Sequence, residues 1–277
     1  MKEQLKIEFG RAFRSRMLYI TLLVGCIIAG AQFVGEVFPA AKNPLMFYSG
    51  KYDNYPITVF EKWIGGNVVS PYSMTYRTIL PILSTLPYGL SYLVDVKSGY
   101  VKNVYSRTKR INYLLAKYIV TFITAGMVAV IPYILNLYGT AMVLPSLLPV
   151  HNGQFSIRAI CMLEDVFYTR PYLYIALYLL IYFVYVGVFA TIAMSVVYWV
   201  DNIFLVSLVP FIVYYMTRLI SPYLRMVEWL GVVDITSILN MCQPTAVKWT
   251  AVTIVVIIVG GVSASLYFVN GVKKDAY

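Results

Sequence analysis

Few residues in this chain are equipped for catalysis, and their spacing points elsewhere. The one histidine, His151, stands alone, so paired-histidine metal sites and a histidine dyad are excluded. Glu164 and Asp165 are adjacent rather than at i, i+4 spacing, and such a run reads as a solvated face. The pattern therefore gives no catalytic constellation, no metal site and no enzyme. What the residue types do support is recognition. From Asp95 to Lys117 the chain has an acidic start, a turn at Gly99, a short apolar run and a basic close. Val101, Val104 and Tyr105 are suited to pack against a partner. Lys102, Arg107, Lys109 and Arg110 are suited to orient it. A plain connector needs only a few residues, so a segment of this length and composition reads as a docking surface.

A second constellation is aromatic. Tyr174, Tyr178, Tyr182 and Tyr185 recur at spacings of four, four and three, which sets their hydroxyls along one helix face. Hydroxyls left unpaired in lipid are costly. This face must meet protein or a wet cavity, and two readings stay open: helix packing, or the lining of a substrate path. Pro81, Pro87, Pro132 and Pro210 each remove a backbone donor within an apolar stretch, which makes them candidate gate kinks or ordinary membrane prolines.

The elements that must position these residues are membrane spans. No Asp, Glu, Lys, Arg or His other than His151 occurs between Arg16 and Glu36, Arg77 and Asp95, Lys117 and Arg158, Arg170 and Asp201, Asp201 and Arg218, or Lys248 and Lys273. Each interval holds a helix of about 17 to 25 residues, enough to cross about 30 Å of hydrocarbon. The expected fold is an all-α membrane protein with six spans, at about 17–35, 78–94, 118–138, 172–198, 203–220 and 249–270. With 60% apolar composition, residues 1–277 form a single membrane domain. The first stretch is long for a secretory signal core and reads as an uncleaved helix.

An even number of spans puts both termini on one side. The inner segments then carry 13 of the 22 Lys and Arg although they are about half as long as the outer ones, which sets both termini in the cytoplasm. The +10 net charge is mostly this topology signal, so no nucleic-acid partner is expected. Residues 1–16 place Leu5, Phe9, Ala12 and Phe13 at helical spacing, with Lys2, Lys6 and Arg14 elsewhere. This predicts an in-plane amphipathic helix on the inner leaflet. Residues 36–77, 139–171 and 221–248 are outer segments, the last with Met226, Trp229, Leu230, Val233 and Ile238 at mixed helical spacing. Gly260, Gly261, Ser263, Ala264 and Ser265 suit close helix contact in span six. Of the three cysteines, Cys161 and Cys242 pair only if two outer loops meet, and unpaired thiols are the preferred reading.

At residues 95–117 the chain resembles a permease subunit of the ABC transporter type-2 family. That family pattern runs loosely from an acidic residue through Gly to an apolar helix ending in Ser-Arg, then to a run closing in Gly-Lys. Asp95, Gly99, Ser106, Arg107 and Lys117 take those places in order, with Tyr100, Tyr105 and Ala116 departing from it. The resemblance covers the whole chain in topology. It implies a coupling helix at roughly 99–110 seated on a cytoplasmic ABC ATPase, present in two copies, and a second permease chain, identical or paralogous. This chain has no G-x-x-x-x-G-K-[ST], so ATP and Mg would belong to the partner ATPase. The function implied is export of an apolar or amphipathic compound, such as a peptide, antibiotic or lipid-like molecule, across a bacterial cytoplasmic membrane. Two alternatives stay open. One is a scaffold or sensor binding a ligand through its outer segments, and the other a permease for immunity or toxin extraction. The absence of acidic groups within spans argues against ion-driven transport.

Overall fold

The structure is a computed structural model that describes residues 1–42, 56–150, 161–224, 226, 239–241 and 249–273. Among these residues the chain is helical, with no strand. Helix α1 (Lys2–Phe13) is followed by an extended Ser15 and by α2 (Arg16–Gln32). From α2 a π-helical turn, Phe33–Val37, leads into α3 (Phe38–Lys42). A cap over one end of the bundle holds the short α4 (Val59–Lys62). Next come α5 (Pro71–Thr85), α6 (Ser91–Lys97) and α7 (Tyr100–Tyr105). The long α8 (Arg110–Val143), the short α9 (Glu164–Thr169), α10 (Pro171–Val196), α11 (Ile203–Leu224) and α12 (Trp249–Lys273) complete the chain.

Five helical stretches are long and apolar enough to cross a membrane: Arg16–Lys42, Arg110–Val143, Pro171–Val196, Ile203–Tyr223 and Val252–Lys273. This is the architecture of a multi-pass membrane protein. The expected second span, 78–94, is instead two helices, α5 and α6, with turns across residues 86–90. Pro87 supplies no N–H there and Gly89 packs its backbone against Thr85, so the sequence itself interrupts the helix. The first span does not stop at Glu36. Its helix runs on through the π-turn, and the Glu36 carboxylate accepts hydrogen bonds from Gln32 Nε2 (3.2 Å), Asn67 Nδ2 (3.0 Å) and Ser70 Oγ (2.7 Å).

Helices α8 and α10 form the centre. Their most apolar windows are 56% and 61% buried inside the chain, against 22% for α11 and α12, so the latter pair lies at the periphery. The central crossing is close because two glycines face two phenylalanines. A Cβ on Gly126 would meet the Phe183 ring at 2.6 Å. A Cβ on Gly187 would meet the Phe122 ring at 2.7 Å and its carbonyl oxygen at 2.9 Å. The small residues expected to do this in span six contribute less: Gly261 has nothing nearby, while Ser263 Oγ donates to Thr191 Oγ1 at 2.9 Å.

At the other end Asn136 of α8 anchors the cap. Its amide donates to Ala29 O and Gln32 Oε1 and accepts from the Ile64 N–H, all within 2.9 Å, so a buried polar side chain is fully satisfied. Pro132 leaves the Val128 carbonyl without its helical donor, and the Tyr76 hydroxyl supplies one at 2.7 Å.

Candidate functional site: a charge clamp beneath residues 95–117

Residues 95–117 fold as the end of α6, a turn, α7 and the first two turns of α8. Gly99 has φ +74° and caps α7 in the left-handed region with open space around it. Glycine is required there for backbone reasons. Of the residues expected to meet a partner, Val101 and Val104 face the chain itself. They are 2% and 8% exposed, in a buried cluster with Tyr92, Leu93, Tyr113 and Tyr267. Their apolar faces are taken up by this cluster and not turned outward. Tyr105 is half-buried under the Arg110 guanidinium, 4.9 Å from its ring centroid, and Arg110 donates to Val272 O at 3.0 Å. The face left outward carries Lys102, Asn103, Ser106, Arg107 and Lys109.

Beneath this face lies an ion cluster that joins three helices. Asp95, 2% exposed, takes both arms of Arg11 at 2.6 and 2.9 Å. It also takes the Lys117 ammonium at 2.7 Å and the Tyr113 hydroxyl at 2.6 Å. Lys117 is fully buried and reaches Glu8 at 3.0 Å. Glu8, equally buried, accepts from the Tyr88 hydroxyl, from Arg11 at 3.3 Å and from Gln4 at 3.4 Å. The Arg11 guanidinium also lies 4.7 Å from the centroid of Tyr100. Two carboxylates and two cations thus cancel, and every charge has hydrogen-bonding partners, which is the condition for burying them at all. Burial pushes the Asp95 carboxyl upward, but the Arg11 hydrogen bonds and the Lys117 charge outweigh it and hold the group below the usual carboxylate range.

The apolar reading of the N-terminal helix missed this. The face of α1 that docks on the protein is Gln4, Glu8 and Ala12, beside Val120 of α8 and Tyr88, whereas Phe13 and Ile7 are exposed. The available signal was the pair of lone charges at the membrane edge, Asp95 and Lys117, each of which needs a counter-charge if buried. Glu8 and Arg11, at i, i+3, could supply both.

The tyrosine face is buried by the chain's own helices. Tyr174 donates to Met241 O at 3.2 Å, Tyr178 to Leu239 O, and Tyr182 stacks on Tyr133 with 5.1 Å between centroids. Tyr185 is 1% exposed. Pro81, Pro132 and Pro210 lie inside helices, and Pro87 in the 86–90 break. His151, Cys242 and the residues Trp229, Leu230, Val233 and Ile238 lie outside the described residues. A scan against protein-family models and searches of curated proteins and of solved structures found no match.

Proposed function

We propose that the chain is the membrane-spanning permease subunit of an ATP-driven ABC exporter in a bacterial cytoplasmic membrane. In this reading it crosses six times with both termini in the cytoplasm. The second crossing is residues 78–94, the later part of α5, the 86–90 turn and the start of α6 in series, or about 25 Å at helical rise. A broken crossing is tolerated where protein covers the freed backbone, and Tyr88 and Tyr92 within it are buried.

The observation that carries the proposal is the clamp under the 95–117 segment. A loop that only joins two spans has no need of four interlocked charges. A loop that must transmit force does. An ATPase seated on the outward face of α7 would push against a helix whose preceding turn is tied to α1 through Asp95–Arg11 and to α8 through Asp95–Lys117, while Arg110 at the start of α8 covers Tyr105 of α7 and bonds the end of α12. Because α8 is also a central helix, displacement at its inner end reaches the core of the bundle. The ATPase, in two copies, would supply the nucleotide and Mg chemistry, and a second permease chain would complete the path. The cargo is an apolar or amphipathic compound, since no acidic or basic group lies in the central helices between Lys117 and Val143 or between Pro171 and Val196.

The test is a mild-detergent pull-down of the tagged chain from its native membrane, with ATP hydrolysis measured on the eluate. The expected result is a co-purified soluble ATPase that is lost, by at least about tenfold, when Arg107 and Lys109 are both changed to Glu. These side chains are exposed, so the variant leaves the fold intact; each lost charge-assisted contact is worth about 1.5–3 kcal/mol. A chain recovered alone and inert would overturn the proposal and favour a scaffold or sensor.

A further inference from the structure

At the opposite end of the molecule two arginines lack what the inner cluster has. Arg77 on α5 donates only to neutral acceptors: Ser73 O at 3.2 Å, Asn240 Oδ1 at 2.6 Å and Val68 O at 2.6 Å. Arg218 on the neighbouring α11 has one long bond, 3.3 Å, to Thr78 Oγ1. Neither α5 nor α11 contains an Asp or Glu, and among the described residues neither guanidinium has a carboxylate within ion-pairing distance. Arg77 is the seventh residue of α5 and Arg218 lies six residues before the end of α11. Both therefore sit about 9 Å from helix ends that point the same way. Arg77 also edges a void of only about 10 Å³ among the buried Leu80, Pro81, Val186, Phe189 and Tyr214, too small for a chain, so apolar contact for a ligand lies on the outside of α11. Met216, Leu219 and Ile220 are exposed beside Arg218.

Two guanidiniums with no carboxylate partner among the described residues, with unused N–H groups and the exposed Met216, Leu219 and Ile220 beside Arg218, match one ligand chemistry. The guanidinium fork takes an oxyanion bidentately, and the apolar surface takes a chain. We propose that Arg77 and Arg218 bind the phosphate or carboxylate of an anionic amphiphile from the outer leaflet. This deepens the exporter reading, on whose topology it rests, by assigning the cargo or an accompanying lipid a negative headgroup. Arg77 anchors the site through its three protein contacts, and Arg218, exposed and loosely held, closes on the ligand.

The experiment reconstitutes the full chain, with any partner that co-purifies, into phosphatidylcholine nanodiscs containing a minor fraction of phosphatidylglycerol. Retained lipid is then read by native mass spectrometry. Wild type is expected to retain phosphatidylglycerol preferentially, and Arg218→Gln to reduce that preference about tenfold, as loss of a charge-assisted contact implies. Competition with N-lauroylsarcosine separates the sources. Displacement or retention of this carboxylate amphiphile extends the site to carboxylate cargo, while retention of phosphatidylglycerol alone restricts it to phosphate headgroups; both support the site. Equal retention of the two phospholipids with no retained sarcosinate, or a preference unchanged in Arg218→Gln, would overturn it. Recovery of the ATPase with Arg218→Gln keeps this outcome separate from failure of the exporter reading.

Discussion

Lys117 is the residue whose surroundings make the strongest demand. Its ammonium is fully buried between Glu8 and Asp95, and removing it leaves two carboxylates facing each other in low dielectric. Lys117→Met should cost about 3–5 kcal/mol, the usual loss when one member of a buried pair is deleted, with a lower melting temperature in detergent as the readout. Arg11→Gln should cost less, because that side chain is 37% exposed and water compensates it. The acid limb follows from Asp95. Its carboxyl is held below the usual range by Arg11 and Lys117, so its contribution is fully present above the unfolded value of about 3.9. That contribution is lost only as pH falls through the lower folded value. Melting temperature should therefore show no Asp95-dependent loss between neutrality and about pH 5, and a comparison of wild type with Asp95→Asn over that window checks it. Asp95, Gly99 and Lys117 were legible as a pattern in the sequence. Their contact with Glu8 and Arg11 is not, because amphipathic periodicity ranks faces by apolar residues, whereas the docking face of α1 sets Gln4 and Glu8 beside Ala12, Leu5 and Phe9.

The helices themselves were legible wherever composition alone decides them. Long charge-free runs locate five helices long and apolar enough to cross, since hydrocarbon thickness and backbone satisfaction leave few other solutions, although the first runs on to Lys42 and the third extends from Arg110 to Val143, well beyond 17–35 and 118–138. The second was read as one helix because an apolar window does not register the Pro87-Tyr88-Gly89 interruption. The small residues of span six do meet α10 through Gly260 and Ser263, but the tighter crossing is that of α8 and α10 through Gly126 and Gly187, single glycines that no local pattern marks. Gly187→Val should be among the most damaging substitutions in the protein. Its Cβ would lie 2.9 Å from the Phe122 carbonyl oxygen, backbone that cannot rotate away, so the helices must separate at a cost of about 3 kcal/mol or more. Gly261→Val, where nothing is within 4 Å, should be nearly neutral. Thermal unfolding of the two variants side by side measures the difference.

At the scale of the whole molecule the two ends are built on different principles. The end that carries α1 and α7 cancels its buried charges and locks α1, α6, α7 and α8 together, while presenting a polar and basic face of Lys102, Asn103, Ser106, Arg107 and Lys109. The other end is held by hydrogen-bond networks around the Asn136 amide and the Glu36 carboxylate, and there neither Arg77 nor Arg218 has a carboxylate partner among the described residues. In the proposed exporter reading, the first end is the driven cytoplasmic face and the second the one that meets cargo. The most direct measurement is photocrosslinking in native membranes from two exposed positions, Asn103 on α7 and Val69 at the far end. An ATP-binding polypeptide captured from Asn103 and not from Val69 is the predicted result; no adduct at Asn103, or the ATPase captured from Val69 instead, would contradict the account.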